Sequence, residues 1–222
     1  MLLLIIRHTE SEKNEKNQFS SEKDDENLTE KGELDTIEIA NEISKFIIRN
    51  SFKCDNIYSA NSIRSIKTAE KIAEKLKVKV KIEEDLRSTR PGVLEGIRKD
   101  SVKYTHPEYG YQYYLFEKGV FNVYDFKVPQ NKESKKDFEK RVNNCVSRIL
   151  SDKSEDIKII IAHRSSITAI LLDFARKYHN YPQNFSGHIP LDLGYISVLK
   201  ATEDNNWKII KVNEKCSTIN EL

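Results

Sequence analysis

The sequence predicts an α/β fold, a three-layer sandwich in which helices cover both faces of a mostly parallel sheet. Two strongly apolar runs, LLLII near the start and IKIIIA at 157–162, are typical of strands buried on both faces. Between them, stretches with helical apolar spacing alternate with shorter strand patterns. Such alternation gives parallel strands that are joined by helical crossovers.

Length and composition fit a single domain over residues 1–222. The net charge of +2, from 37 basic and 35 acidic residues, gives no reason to expect a nucleic acid or a membrane as partner. The three cysteines lie far apart, which indicates reduced thiols and neither a disulfide framework nor a zinc site. No apolar run approaches the roughly 18 residues of a membrane span. We therefore expect a cytoplasmic protein.

The predicted elements follow in the order β-α-β-α-β-insertion-α-β-α-β-β. Thr29 is the predicted N-cap of the first long helix, and Ser165 or Ser166 that of the last. A half-buried strand near 78–82 lies toward a sheet edge, where it could pair with a second copy, so monomer and homodimer both stay open. GYISVLKA and WKIIKV flank a polar turn and predict an antiparallel edge hairpin at the C-terminus.

The stretch 97–132 is predicted to be an aromatic-rich insertion or lid that packs on the domain. It shows no clean helical or strand period, and its aromatic residues are Tyr104, Tyr109, Tyr111, Tyr113, Tyr114, Phe116, Phe121, Tyr124 and Phe126. Aromatic side chains can stack on bases. The lysines, however, are not interleaved as a basic platform, so we expect no nucleic acid there.

Polar residues follow the predicted strands at their C-terminal ends. Arg7 and His8 come directly after the first apolar run, His163 follows IKIIIA, and Arg64 lies in the first turn of a helix. Taken singly, His8 could be a polar residue that ends a strand, and Arg64 an ordinary exposed helix residue. The ends of parallel strands meet at one sheet edge, and a helix N-terminus favours anions. We therefore predict that these side chains converge on a shared anion site.

Several motifs, in matching order and spacing, resemble the histidine phosphatase superfamily, also called phosphoglycerate-mutase-like. They span nearly the whole chain: RHTE with the run on to Asn14, LTEKG at 28–32, IYSANSIRSIKTAE at 57–70, LRSTRPGVLEG at 86–96, KESKKDFEKRV at 132–142 and AHR at 162–164. Each motif is weak alone, and the ordered set is specific.

The resemblance implies a metal-independent phosphomonoester hydrolase that acts on a small phosphorylated metabolite and needs no cofactor. His8 would attack phosphorus and form a phosphohistidine. Arg7, Arg64 and His163 would surround the phosphoryl oxygens and stabilise the charge of the transition state. Asn14 would bind the phosphate or nearby substrate through its amide. No carboxylate cluster has metal-ligand spacing, so no metal site is expected.

The sequence departs from the family pattern at the general acid. Where the family usually has the Glu of Leu-Arg-Glu, this chain has Ser88, whose hydroxyl is too weakly acidic for the task. Loss of a general acid costs on the order of a hundred- to ten-thousand-fold in rate. Glu95 in the same loop and Glu10 beside the nucleophile are the candidate replacements. A Glu at the position of Glu95 is also common in family members that keep the usual acid.

Two further departures place larger residues where the family usually has glycine. Thr9 restricts a backbone position that glycine leaves free. Arg164 adds a cation beside the second histidine, as do Arg87 and Arg90 in the loop. We predict that Arg164 and Arg90 bind substrate, which would suit a substrate with more than one anionic group. The alternative is that these arginines are solvated surface residues.

Two other functions stay open from the sequence. Because Ser88 replaces the expected carboxylate, the chain could be a phosphate-ligand binding or regulatory module with weak or no turnover. It could also be a phosphotransferase of the phosphoglycerate mutase type. Hydrolysis is preferred because the insertion is modest, whereas a mutase must shield its phosphorylated intermediate from water with a longer, tighter lid.

Overall fold

A six-stranded mixed sheet forms the centre of the computed structural model, which describes residues 1–19, 26–120, 133–183, 189–204 and 206–222. Its strands are β1 (Leu2–Arg7), β2 (Asn56–Ser59), β3 (Lys79–Ile82), β4 (Ile157–Ala162), β5 (Ile196–Ala201) and β6 (Trp207–Glu214). The order across the sheet is β3-β2-β4-β1-β5-β6. The pairs among β1 to β4 are parallel, and β5 and β6 pair antiparallel. The predicted fold class, with its C-terminal edge hairpin, is confirmed.

The helices lie on both faces of this sheet. They are α1 (Glu12–Glu15), α2 (Glu30–Asn50), α3 (Ile63–Leu76), α4 (Val102–Thr105), α5 (Pro107–Glu117), α6 (Lys135–Ser151) and α7 (Arg164–Tyr178). Leu3 and Ile5 of β1 pack in one cluster with α6 and α7, while Leu4 and Ile6 pack in the other with α2 and α3. The alternation of β1 side chains between two apolar cores explains its unbroken apolar sequence. No helix in the described ranges is long and apolar enough to cross a membrane.

The register of β1 and β4 positions the two histidines. Arg7 lies opposite Ala162 in the parallel pair, and the backbone N–H of His8 donates to the carbonyl of Ala162 at 3.1 Å. His8 and His163 therefore leave neighbouring strands at the same edge. The convergence that the sequence predicted follows directly from this strand pairing.

One of the two predicted helix N-caps is confirmed, and the other is wrong. Thr29 is the N-cap of α2, and its hydroxyl accepts a hydrogen bond from the N–H of Gly32 at 3.0 Å. The prediction of Ser165 or Ser166 as the cap of the last helix is wrong, because α7 already begins at Arg164. The hydroxyl of Ser166 instead donates to the carbonyls of Leu86 and Arg87. These bonds hold the loop after β3 against α7.

The insertion contains regular structure that its sequence did not reveal. It forms α4 and α5, and α5 starts at Pro107, whose fixed φ and missing N–H suit the first helical turn. Tyr109 and Tyr113 pack with Phe19 and Leu94 in a small core of their own. Residues 121–132, with Phe121, Tyr124 and Phe126, lie outside the described residues. The role of a lid stays a prediction.

The LTEKG motif joins α2 to the backbone beside the nucleophile. The N–H of Thr29 donates to the carbonyl of Glu10 at 3.1 Å, and the Thr29 hydroxyl donates to the Glu10 carboxylate at 3.0 Å. Lys31 pairs with the same carboxylate at 3.2 Å. A Cβ on Gly32 would lie 2.0 Å from the Glu10 carbonyl oxygen, a distance that no relaxed structure tolerates. Glycine is therefore required for this close approach.

We expect Gly32→Ala to destabilise the fold although alanine is normally the better helix former. In an unhindered helix the change would add stability of up to about 1 kcal/mol. Here the clash with the Glu10 backbone should outweigh that gain and cost about 1–3 kcal/mol. Urea unfolding measures the difference, with Glu33→Ala, an exposed position in the same helical turn, as the control. A Gly32→Ala protein that is as stable as the wild type would contradict this account.

Candidate active site

The tautomer of His8 is set by one hydrogen bond to the main chain. Its Nδ1 lies 2.8 Å from the carbonyl oxygen of Thr9. Because a carbonyl only accepts, Nδ1 is assigned the proton, and Nε2 carries the free lone pair. His8 is buried, with 3% of its surface exposed. The ring is thereby fixed with its nucleophilic nitrogen directed away from Thr9.

The environment of His8 keeps the imidazole neutral. Burial is the main cause that lowers its pKa well below 6.5, and the neighbouring charges of Arg64, His163 and Arg7 lower it further. A protonated imidazole has no lone pair on Nε2. The same cations that would bind an anion therefore also hold His8 in the form that a nucleophile needs.

Arg64 joins the two histidines into one cluster. It lies in the first turn of α3 and is buried. Its Nε donates to Nε2 of His8 at 3.2 Å, and its Nη2 is 3.4 Å from Nδ1 of His163. The ring centroids of the two histidines are 5.2 Å apart, and the Ser62 hydroxyl is 3.3 Å from Nε2 of His163. The structure thus brings together the side chains that the sequence placed at separate strand ends.

Arg7 stands beside this cluster and is held by the chain that precedes β5. Its Nη1 donates to the carbonyl of Leu191 at 2.6 Å. Burial lowers its pKa to about 9, the charges of Arg164 and Arg64 act in the same direction, and Asp192 opposes them. A guanidinium with that pKa remains charged at neutral pH. Arg7 therefore adds a positive charge next to the nucleophile.

A cavity opens above these groups, and cationic side chains dominate its lining. Its charged and titratable lining residues are Arg7, His8, Lys13, Arg64, Lys99, His163 and Arg164. The rest of the lining is polar or apolar: Asn14, Gln18, Phe19, Ser88, Thr89, Pro91, Phe116 and Ser165. No aspartate or glutamate lines the cavity in the described part of the chain. Such a site attracts an anion that carries more than one negative charge.

Of the three predicted substrate-binding residues, Asn14 and Arg164 line the cavity and Arg90 does not. Asn14 lines the cavity, and its Oδ1 accepts hydrogen bonds from the N–H and the hydroxyl of Ser11, so the amide nitrogen is its donor to a ligand. Arg164 also lines the cavity, and burial lowers its pKa while Asp192 opposes that effect. Its Nε is buried with no hydrogen-bond partner in the described structure. Arg90 is exposed and is not among the lining residues.

Neither candidate for the missing general acid reaches the cavity. The Glu10 carboxylate is bound to Thr29 and Lys31 at the start of α2. Glu95 is half-buried and does not line the cavity. Ser88 does line it, and its hydroxyl is 3.1 Å from that of Ser165. The position that usually carries the acid is therefore where the resemblance places it, but the residue there is not an acid.

Arg141 of α6 holds the loop that contains Ser88. Its Nη1 donates to the carbonyl of Asp85 at 2.7 Å, and its Nη2 to that of Ser88 at 3.2 Å. Its Nε donates to the carboxylate of Glu133 at 2.6 Å. Arg87 also forms an ion pair with Glu133, at 3.4 Å, and so takes part in the contacts that hold the loop. These contacts explain why the motif around 132–142 accompanies the loop motif.

Thr9 has a structural role that its sequence position did not indicate. The φ angle of Thr9 is not positive, so a threonine takes this backbone position without strain. Its hydroxyl is 2.7 Å from that of Thr36 and 3.2 Å from that of Thr68. The N–H of Thr9 also donates to Thr68 at 3.3 Å. A buried threonine network thus ties the segment after β1 to α2 and α3.

Two lysines of the cavity, Lys13 and Lys99, were not predicted from the sequence. Lys13 and Lys99 lie in polar stretches, where lysine is almost always solvated. Burial lowers the pKa of Lys99 to about 8, and the charges of Arg164, Arg7, Lys13 and Arg64 contribute. The only sequence signal was that both lysines lie close to a motif along the chain. Lys13 directly precedes Asn14, and Lys99 comes shortly after Gly96, which closes the loop motif.

The donor set of the cavity does not suit a metal ion. Across the described ranges, no group of three or more His, Cys, Asp and Glu side chains is arranged to hold one. The groups that converge on the cavity are cations, which repel a metal and attract a phosphoryl group.

Comparison with known proteins places this site in a family. Residues 3–215 match the family described as histidine phosphatase superfamily (branch 1). A relative named "Putative phosphoserine phosphatase 2", from Hydrogenobacter thermophilus, is 30% identical over 169 residues, which are 76% of each chain.

Solved structures of low identity share the fold. The mycobacterial glucosyl-3-phosphoglycerate phosphatase superposes with a TM-score of 0.74 at 16% identity, over 96% of this chain and 99% of that one. The alpha-ribazole phosphatase from Shigella flexneri gives a TM-score of 0.70 at 19% identity, over 96% of both chains. The family match over residues 3–215 and the 30% identical relative show that the chain belongs to branch 1 of the histidine phosphatase superfamily, and the prediction of a phosphatase is confirmed at the level of that family.

Proposed function

We propose that the protein hydrolyses small phosphomonoesters through a phosphorylated His8, without a metal ion. One observation carries the proposal: a neutral imidazole, whose unprotonated Nε2 accepts a hydrogen bond from Arg64, lies buried among cationic side chains. The nucleophile and the groups that stabilise an anion are thus assembled before any substrate binds, which is the arrangement that phosphoryl transfer requires.

The first step would be attack of His8 Nε2 on phosphorus. As the substrate enters, Arg64 exchanges its bond to Nε2 for one to a phosphoryl oxygen. Arg7, Arg64 and His163 then stabilise the charge on the phosphoryl oxygens, and Asn14 donates its amide nitrogen. Water attacks the phosphohistidine in the second step and releases inorganic phosphate. The hydrogen bond from Nδ1 to Thr9 keeps the ring in place throughout.

The excess of positive charge supports a substrate with a second anionic group. A phosphoryl dianion occupies Arg7, Arg64 and the histidines, which leaves Arg164 to pair with a second anionic group. The unpartnered Nε of Arg164 suits a carboxylate or a second phosphate. The name of the Hydrogenobacter relative points the same way, because phosphoserine carries a carboxylate beside its phosphoester.

The location and assembly of the protein remain proposals. We propose that it works in the cytoplasm, as its separated cysteines suggest, as a monomer or as a homodimer. The strand β3 lies at the sheet edge, as the sequence predicted, and offers a surface on which a second copy could pair.

We expect the wild-type protein to hydrolyse para-nitrophenyl phosphate in the presence of a metal chelator, and His8→Ala to lose that activity. The reason is that His8 carries the unprotonated Nε2 that attacks phosphorus in this proposal. Release of inorganic phosphate measures both proteins. Equal rates for wild type and His8→Ala would contradict the proposal, and so would turnover only as a mutase with a bisphosphoglycerate primer.

The role of Arg164 predicts a preference between two substrates that differ by one carboxylate. We expect a larger kcat/KM for phosphoserine than for phosphoethanolamine, because Arg164 binds the additional carboxylate. Arg164→Met should reduce that preference about tenfold or more, the size of a lost charge-assisted hydrogen bond. Arg49→Met, an exposed arginine at the far end of α2, is the matched control. An unchanged preference in Arg164→Met would show that the second anion, if any, binds elsewhere.

A further inference from the structure

Among the described residues, no carboxylic acid lines the cavity to protonate a leaving alcohol. Ser88 occupies the expected position, the Glu10 carboxylate is bound at α2, and Glu95 lies outside the lining. An alkoxide is a very poor leaving group without a proton donor. An enzyme with this cavity therefore needs a different group to supply the proton.

Main-chain hydrogen bonds between two segments hold Lys99 at the cavity. Its N–H donates to the carbonyl of Asn17 at 2.8 Å, and that of Phe19 donates to the carbonyl of Ile97 at 3.0 Å. Gln18 and Arg98 form an antiparallel bridge between the same two segments. Lys99 is thus fixed on the stretch that also supplies Ser88, whereas His8 comes from the sheet edge.

We propose that Lys99 is the proton donor to the leaving group, in place of the family's usual carboxylic acid. This inference rests on the proposed phosphatase function. The Lys99 side chain lines the same cavity as His8 and Ser88, and it carries a dissociable proton there. Lys99 is a better proton donor than the neighbouring Arg7, because the pKa of Lys99 is lowered to about 8 and that of Arg7 only to about 9.

Burial and the charges around Lys99 make its proton available. Burial is the main cause that lowers its pKa to about 8, and the positive charges of Arg164 of α7, Arg7 of β1, Lys13 of α1 and Arg64 of α3 act in the same direction. On its own segment, Arg98 and Asp100 pair with each other at the surface. At neutral pH the amine is therefore protonated in most molecules, yet it is a stronger acid than an ordinary lysine.

The two half-reactions balance with Lys99 as acid and then base. In the first, the bond from His8 Nε2 to phosphorus forms, the bond from phosphorus to the ester oxygen breaks, and the Lys99 ammonium transfers one proton to that oxygen. The alcohol leaves, and Lys99 is a neutral amine. In the second, that amine takes a proton from the attacking water as its oxygen bonds to phosphorus and His8 Nε2 departs. Both side chains return to their starting states.

Lys99→Arg tests the proposal because it keeps the charge but removes the dissociable proton. We expect the variant to hydrolyse an alkyl phosphate, such as glycerol phosphate, at least about a hundredfold more slowly in kcat. Hydrolysis of para-nitrophenyl phosphate, whose phenolate leaves without a proton, should change little. KM for both esters should be nearly unaffected, since the positive charge remains.

Two matched variants accompany that measurement. Lys13→Arg changes the other lysine of the cavity and should leave the ratio of alkyl to aryl rates unchanged. Lys103→Arg changes an exposed lysine on α4 and should behave as the wild type. If Lys13→Arg lowers the ratio and Lys99→Arg does not, the proton comes from Lys13 and the proposal is wrong.

A pH profile of the unmodified protein gives a test that does not depend on the folding of a variant. Because the protonated amine is the active form, kcat/KM for the alkyl ester should fall as pH rises through about 8. The aryl ester should lack that decrease. A decrease of equal size for both esters would mean that Lys99 acts only through its charge and would contradict the proposal.

The outcomes separate this proposal from the proposed function. If the wild type cleaves neither ester, the phosphatase itself is in error. If it cleaves only the aryl ester, the phosphatase stands and no proton donor operates, which overturns the role of Lys99. Retention of alkyl phosphate hydrolysis in Lys99→Arg within about threefold, well below the usual effect of a lost general acid, would also overturn it.

Discussion

The crowding of positive charge at one end of the sheet is the constraint on which the rest of this site depends. Arg7 and Arg64 are held beside two histidines with little solvent to screen them, and no carboxylate of the described chain lines the cavity to neutralise them. Like charges at such distances raise the free energy of the empty site. Burial is the main cause that lowers the pKa of His8 and of Arg7, and the neighbouring positive charges lower both further. A phosphoryl dianion relieves this repulsion, which is why the geometry favours that ligand.

The fold sustains the crowding through main-chain hydrogen bonds. The parallel pairing of β1 with β4 sets His8 beside His163, and the N-terminal turn of α3 carries Arg64 to both. Thr9 links the segment after β1 to α2 and α3, and Gly32 allows α2 to approach it. The site is therefore built on regular elements, and its residues have little freedom to separate. Such preorganisation is the main contribution that a protein makes to phosphoryl transfer.

The sequence predicted the site residues at the strand ends but not the lysines that line the cavity. Both outcomes have physical reasons. His8 and His163 could be placed because buried strands have an unmistakable apolar pattern, and their ends share an edge. Lys13 and Lys99 could not, since their position in the cavity depends on how the polar segments 11–19 and 97–101 pair. Glu10 looked like a candidate acid from its place in the chain, but its direction is set by hydrogen bonds to a distant helix. The helix α5 was missed because it carries aromatic residues on its exposed face, Tyr111 and Tyr114, as well as on its buried face, which obscures the helical period.

The most direct measurement of the central claim is the identification of the phosphorylated residue. A reaction with para-nitrophenyl phosphate, quenched in alkaline denaturant and digested, would be analysed by mass spectrometry for the peptide that gains a phosphoryl group. The account predicts that the group is found on His8, that it appears during turnover, and that it is absent from His8→Ala. A phosphoryl group on another residue, or phosphatase turnover with no phosphorylated peptide under conditions that preserve phosphohistidine, would contradict it.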